Sequence, residues 1–214
     1  MLLDFGLIVK DANFKTRNWN KIIKFVRITS KKGENIMFEN EKLYLKKVEE
    51  SDIDLYHSWR NNIDVMKTTS PFLDIYTLED TKNFFKNVIL NSQNSHGYII
   101  VDKSREISIG IISLVNIDFK NRNCEMIIDI GNKDYWGGGY GKSSTSLILS
   151  YAFNELNMHK VYLKVFSFND KAINLYKKLG FKEEGRNREA IYRNGLYQDI
   201  INMGLLENEY KEMN

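Results

Sequence analysis

The chain has 214 residues, 43% hydrophobic and 28% charged, with a net charge of +3, which suits one soluble domain with a modest appendage. A single cysteine, Cys124, excludes a disulfide framework and a cysteine-rich metal site; three scattered histidines (His57, His96, His159) without HExxH-type spacing argue against a zinc enzyme, so no metal is expected. No apolar run reaches the ~18 residues of a membrane span, and "MLLDFGLIVK" lacks a basic leader and a small-residue cleavage site, so a cytoplasmic protein without a membrane partner is expected.

Residues 1–36 hold eight Lys or Arg against three Asp or Glu, a balance of +5 that leaves −2 for residues 37–214. The globular part is therefore slightly acidic, which speaks against direct nucleic-acid binding. Residues 1–36 show no long clean period and read as a poorly ordered N-terminal extension with a short helix near 19–26. "KKGENI" stands just before Met37, and its codons can be read as AAA-AAA-GGA-GAA-AAT-ATA, a purine-rich stretch resembling a bacterial ribosome-binding site. The native start is accordingly expected at Met37. The rival reading is a genuine arm anchored by Phe5, Phe14 and Trp19.

From Glu41 the pattern sharpens. "KLYLKKV" alternates and reads as a strand. "SDIDLYHSWRNN" reads as a helix capped by Ser51 with Asp54 three residues on, and "TLEDTKNFFKNVIL" as a second helix opened in the same way. "GYIIVD", "ISIGIISLVNI" and "CEMIIDI" are β-rich runs at hairpin spacing. A glycine cluster leads into a long helix over "KSSTSLILSYAFNEL". "KVYLKVFSF" is a strand, and "NDKAINLYKKLG" a helix capped by Asn169 and stopped by Gly180. "FKEEGRNRE" and "LYQDIINMGLL" close the chain as strands. The order β-α-α-β-β-β-α-β-α-β-β predicts an α+β (mixed α/β) domain over 37–214 with a largely antiparallel sheet of about seven strands and about four helices.

"YWGGGYGKS" ends as a nucleotide-binding P-loop does, yet the first glycine of G-x-x-x-x-G-K-[ST] falls on Trp136. Glycines between a strand and a helix let backbone N–H groups approach an anion, and the helix N-terminus adds a favourable dipole. A pyrophosphate site is one reading; a turn that merely needs glycine is the other. The helix from Asn169 likewise has a plain reading, with Ala172, Leu175, Tyr176 and Leu179 facing the core.

Together, W-G-G-G-Y-G-K and N-D-K-A-I-N-L-Y-K-K-L-G-F, in that order with one strand between, resemble the GNAT superfamily of acetyl-CoA-dependent N-acetyltransferases. The tail "EGRNREAIYRNGLYQDIINMGLL" is similar to the branch that includes ribosomal-protein N-acetyltransferases, with spermidine acetyltransferases close by. The resemblance spans about Glu41 to Glu207. It implies that the [Q/R]-x-x-G-x-[G/A] loop, here Trp136-x-x-Gly139-x-Gly141 with Gly137 and Gly138 inside it, holds the pyrophosphate of acetyl-CoA. Trp136 departs from the general pattern, and Lys142-Ser143-Ser144 stands where the branch often has Thr-Glu-Ala. Lys142 is either a phosphate contact or a solvated first-turn lysine. The resemblance further implies that Tyr176 protonates the departing thiolate and that Asn169 contacts the pantetheine arm. The pantetheine amides would pair with the strand around Ile128 and Ile130. Glu125 is expected as the base for the amine, against the plainer reading of a cross-strand surface carboxylate. His159 reads as structural, and an acyl-cysteine at Cys124 is unnecessary.

The expected reaction is direct acetyl transfer to a primary amine in a ternary complex, resting mostly on positioning, with strand amides polarising the thioester carbonyl. A protein N-terminus or a small-molecule amine comes first as acceptor and a polyamine or amino sugar second, because "RNNIDVMKTTSPFLDIYTLED" offers Asp64, Asp74, Glu79 and Asp80 without a dense acidic patch. The composition allows a homodimer. A P-loop nucleotide-binding protein and a CoA-binding regulator without catalysis are the readings from other classes.

Overall fold

The computed structural model describes residues 29–31, 34–90 and 93–213; the helix expected near 19–26 and the rival anchors Phe5, Phe14 and Trp19 lie outside them. Nine strands form one sheet in the order β1-β2-β3-β4-β5-β6-β7-β9-β8. They are β1 (Thr29–Lys31), β2 (Glu34–Glu39), β3 (Leu43–Lys47), β4 (His96–Asp102), β5 (Ile107–Asp118), β6 (Asn123–Asp129), β7 (Lys160–Phe166), β8 (Lys182–Arg193) and β9 (Leu196–Leu206). Every neighbouring pair is antiparallel except β6 and β7, which run parallel.

The seven strands expected from the sequence are β3 to β9 in the expected order. The β1–β2 hairpin adds two at the edge, and β2 crosses the boundary expected at residue 37. The four expected helices are α1 (Ile53–Arg60), α3 (Leu78–Phe84), α4 (Tyr140–Ser150) and α5 (Asp170–Lys178); α2 (Ile63–Thr69) and α6 (Glu207–Met213) are additional. Each additional helix is seven residues long, too short to show a period in the sequence. Thr77 and Asp80 form the expected capping box of α3. At α1 the box sits two residues earlier than expected: Glu49 and Asp52 cap a short turn over Glu50–Asp52 that leads into the helix. Both α3 and α4 continue into π-helical turns, Phe85–Leu90 and Tyr151–Glu155.

Strand alternation divides the core between the two sheet faces. Cys124, Met126, Val161, Leu163 and Val165 pack under α4 and α5 against Leu147, Ile148, Ile173 and Tyr176. Ile99, Val101 and Ile111 pack on the opposite face under α1 and α3, with Trp59 and Phe85. Glu125, Ile127 and Asp129 alternate with Cys124 and Met126, so they stand on that second face.

The parallel pair decides where a ligand can enter. Pairing between β6 and β7 covers only Asn123↔Lys160, Cys124↔Val161 and Glu125↔Tyr162. Beyond Glu125, β6 stays with β5 as far as Ile111↔Asp129, while β7 stays with β9 as far as Phe166↔Ile200. The two halves of the sheet therefore part after Glu125, leaving strand edges without a ladder partner on either side of the gap.

Candidate active site

The glycine loop sits at the mouth of this gap. A short turn over Lys133–Tyr135, capped by the Asn132 side chain, delivers the chain to Trp136. Trp136, Gly137, Gly138 and Gly139 are all exposed. Gly137 and Gly139 have φ of 74° and 81°, left-handed conformations that favour glycine. Gly139 is the N-cap of α4 and supplies no side-chain cap, so the first-turn amides, including that of Gly141, lack an intrahelical acceptor and point outward with the positive end of the dipole.

Tertiary contacts hold the loop in shape. The Trp136 indole N–H donates to the Ile130 carbonyl at 2.7 Å. The Tyr140 hydroxyl donates to Asp102 at 2.7 Å, and the Asn40 amide donates to the Ser143 hydroxyl at 2.7 Å. Lys42, from the β2–β3 turn, donates to the Gly138 carbonyl and lies 4.2 Å from the centre of the Tyr140 ring. The sequence reading missed Lys42: it is 96 residues from Gly138, and no local pattern points to it. Lys142 is exposed on the first turn of α4.

Ile128 and Ile130 are half-buried and pack against the α4 side of the core. Their backbone lies on the β6 side of the gap, beyond the last pair with β7, where an extended ligand could add as a strand would; the Ile130 carbonyl is taken by the Trp136 indole. At the turn that follows, Gly131 lies against the Trp59 indole so closely that a Cβ would overlap the ring, which locks the end of β6 under α1.

Tyr176 is 8% exposed, and its ring meets Phe181 edge to face at 5.8 Å. Its hydroxyl makes no hydrogen bond among the described residues and is not sealed from solvent. Burial pushes the phenol well above the ordinary tyrosine range, and the nearby Asp129 carboxylate pushes it further. The group is thus protonated at neutral pH, with its proton free to give. Asn169 caps α5 by accepting from the Ala172 amide at 3.2 Å, so the helix start and Tyr176 are positioned together.

The two β6 carboxylates differ. Glu125 is 9% exposed and engaged at both oxygens: Asn116 donates at 3.0 Å and Lys164 pairs at 3.3 Å. Asp129 is half-buried, with no hydrogen bond or ion pair among the described residues. Desolvation pushes its carboxyl up to about 6. Its charge bears on Tyr56 of α1 as well as on Tyr176 of α5. The sequence reading passed over Asp129, although strand alternation from Glu125 places it on the same face.

Other candidates fall away from this chemistry. Cys124 is fully buried and its thiol is pushed up to about 12, which leaves no thiolate for nucleophilic attack at neutral pH. The His159 ring lies 4.0 Å from Glu207 and its backbone N–H donates to Arg122, a structural setting. Of the acids in residues 60–80, Asp64 is paired with Lys133 and Lys67, and Asp80 caps α3.

The arrangement can bind an anion at a helix start, lay an extended chain between two parted strands, and bring an acid and a carboxylate to its end. Residues 42–182 match the family model described as the acetyltransferase (GNAT) domain. The chain is 32% identical to the spermidine N(1)-acetyltransferase of Vibrio cholerae over 173 residues, 80% of this chain and 96% of that one. It is 33% identical to the putative ribosomal N-acetyltransferase YdaF of Bacillus subtilis over 102 residues, 48% of this chain and 55% of that one. A crystal structure of the V. cholerae spermidine N-acetyltransferase in complex with CoA and spermine superposes with a TM-score of 0.72 at 29% identity, covering 80% of this chain and 99% of that one. Among the described residues no helix is long and apolar enough to cross a membrane.

Proposed function

Because the chain belongs to the GNAT acetyltransferase family, we propose that it moves the acetyl group of acetyl-CoA to a primary amine of a small aliphatic polyamine, by direct transfer in a ternary complex. Acetyl-CoA is the acetyl donor, and the site fits it. The exposed glycines and free α4 amides suit a pyrophosphate, and Lys42 adds a cation beside them. The unpaired edge at Ile128 and Ile130 suits the two amides of a pantetheine arm. In this reading Trp136, Gly137, Gly138, Gly139, Gly141 and Lys142 surround the phosphates, Asn169 borders the arm, and Tyr176 protonates the departing thiolate. A β6 carboxylate, Glu125 in the sequence reading, faces the amine.

The observation that carries the reading is the parting of β6 and β7 after Glu125, with Tyr176 near enough to Asp129 of β6 to sense its charge. The polyamine moves ahead of a protein N-terminus for two reasons. Glu125 and Asp129 share the sheet face away from α4, which suits a substrate with more than one ammonium group. The similarity to an enzyme named for spermidine also extends over most of both chains. Within the same proposal, copies of the chain associate through the exposed apolar side chains Phe72, Ile75, Tyr192, Leu196 and Tyr197, a homo-oligomer that gel filtration with light scattering checks.

The test is CoA release from acetyl-CoA with spermidine, a peptide N-terminus, an amino sugar, or no amine. Spermidine should give the fastest release. Release with the peptide alone would overturn the acceptor assignment, and acetyl-CoA binding without release for any amine would favour a CoA-binding regulator.

A further inference from the structure

We propose that Asp129, rather than Glu125, accepts the proton of the incoming amine. The inference rests on the acetyl-transfer reading above. Its grounds are geometric. Asp129 pairs with Ile111 of β5 but stands on the stretch of β6 that no longer pairs with β7, four residues beyond the last β6–β7 pair. It shares its face with Ile127, which is 45% exposed. No cation or hydrogen-bond donor among the described residues occupies its oxygens. Glu125 has both oxygens committed to Asn116 and Lys164, and a carboxylate so held is suited to orienting an amine or a water, not to carrying a proton away.

The surroundings of Asp129 match that task. Tyr56 from α1 and Tyr176 from α5 are the titratable groups coupled to it; Arg60 and Tyr76 act on Tyr56. Desolvation sets Asp129, at about 6. A base works best when its own affinity for a proton approaches the operating pH.

Burial keeps the Tyr176 phenol protonated at neutral pH, and the Asp129 carboxylate adds to this. Asp129 takes one proton from the ammonium. The freed nitrogen lone pair forms the N–C bond to the thioester carbonyl carbon. Tyr176 gives its proton to the sulfur as the C–S bond breaks and the electron pair leaves on sulfur. The surplus proton on nitrogen returns to Tyr176, and Asp129 releases its proton to water. The net products are the amide, free CoA thiol and one proton.

Three measurements test this. With 13C-labelled aspartate, the carboxyl signal that disappears in Asp129→Asn should titrate near pH 6 in the wild-type protein; a midpoint at or below about 4, the ordinary value, overturns the proposal without reference to any substrate. In pH profiles of kcat, Asp129→Asn should lose roughly 10²–10⁴-fold and the limb near pH 6. Glu125→Gln should keep that limb, and Asp129→Glu should restore part of the rate. A limb that persists in Asp129→Asn, or that disappears in Glu125→Gln instead, sinks the assignment. In thermal melts the raised carboxyl contributes stability below about pH 4 that is lost as the pH rises through about 6. Asp129→Asn should therefore melt higher than wild type above pH 6, with the gain gone below pH 4; an unchanged difference across this window counts against the buried carboxyl. If spermidine releases no CoA but another amine does, only the acceptor reading fails, and the profiles are run on that amine.

Discussion

The two sides of the gap are built from different materials. The loop over Trp136–Gly139 and the start of α4 offer backbone: exposed amides, left-handed glycines and a helix dipole, braced from outside by Lys42, Tyr140 and Asn40. The β6 face offers side chains, Glu125, Ile127 and Asp129, whose chemistry is set by what surrounds each one. Under the proposed function, recognition by backbone tolerates variation in sequence as long as the glycines remain, which accommodates Trp136 at the first position of the loop. Side-chain recognition depends on neighbours: two carboxylates on one strand face end up clamped in one case and desolvated in the other.

The largest effect is expected at the chemistry. Tyr176→Phe keeps the ring packing against Phe181 and removes only the hydroxyl. It should lower kcat by roughly 10²–10⁴-fold while acetyl-CoA still raises the melting temperature as in wild type. Near wild-type kcat would mean that the thiolate is served by another acid. The next largest effect tests the backbone side. Gly139→Val forces a β-branched residue into φ of 81°, which costs about 1–3 kcal/mol, and it places a side chain where the phosphates meet the loop. The variant should melt lower and lose the acetyl-CoA shift; a normal shift would remove the phosphates from this loop.

Lys42→Ala sharpens the same side with a smaller change. An exposed cation near phosphates contributes about 1 kcal/mol, so acetyl-CoA should bind roughly fivefold more weakly at low salt, and the difference should fade at high salt. Calorimetric titration at two ionic strengths reads both. The smallest expected effect concerns the edge of the sheet. A chain starting at Met37 keeps Phe38, whose ring packs 4.8 Å from Tyr151 and 5.7 Å from Tyr98, and loses only the outer part of the β1–β2 hairpin. Its acetyl transfer should match that of the full chain with a melting temperature a few degrees lower at most; a large drop would make residues 1–36 part of the fold.

Much of the molecule was legible in the sequence where local chemistry dominates. Alternation fixed the strands from Leu43 to Leu206, Thr77 and Asn169 marked their helix starts, and the glycines from 137 to 141 marked a left-handed turn into α4, because pleat, cap and left-handed turn each act within a few residues. Helices α2 and α6 escaped because seven residues carry too little periodicity. Tertiary structure alone decided the rest. It parted β6 from β7 after Glu125, since each strand follows a different partner. It brought Lys42 onto Gly138, and it tied Glu125 to Asn116 and Lys164 while leaving Asp129 between Tyr56 and Tyr176. Two acidic residues four positions apart look equivalent in a sequence. What surrounds each of them, a donor and a cation at Glu125 and desolvation at Asp129, is known only once the chain has folded.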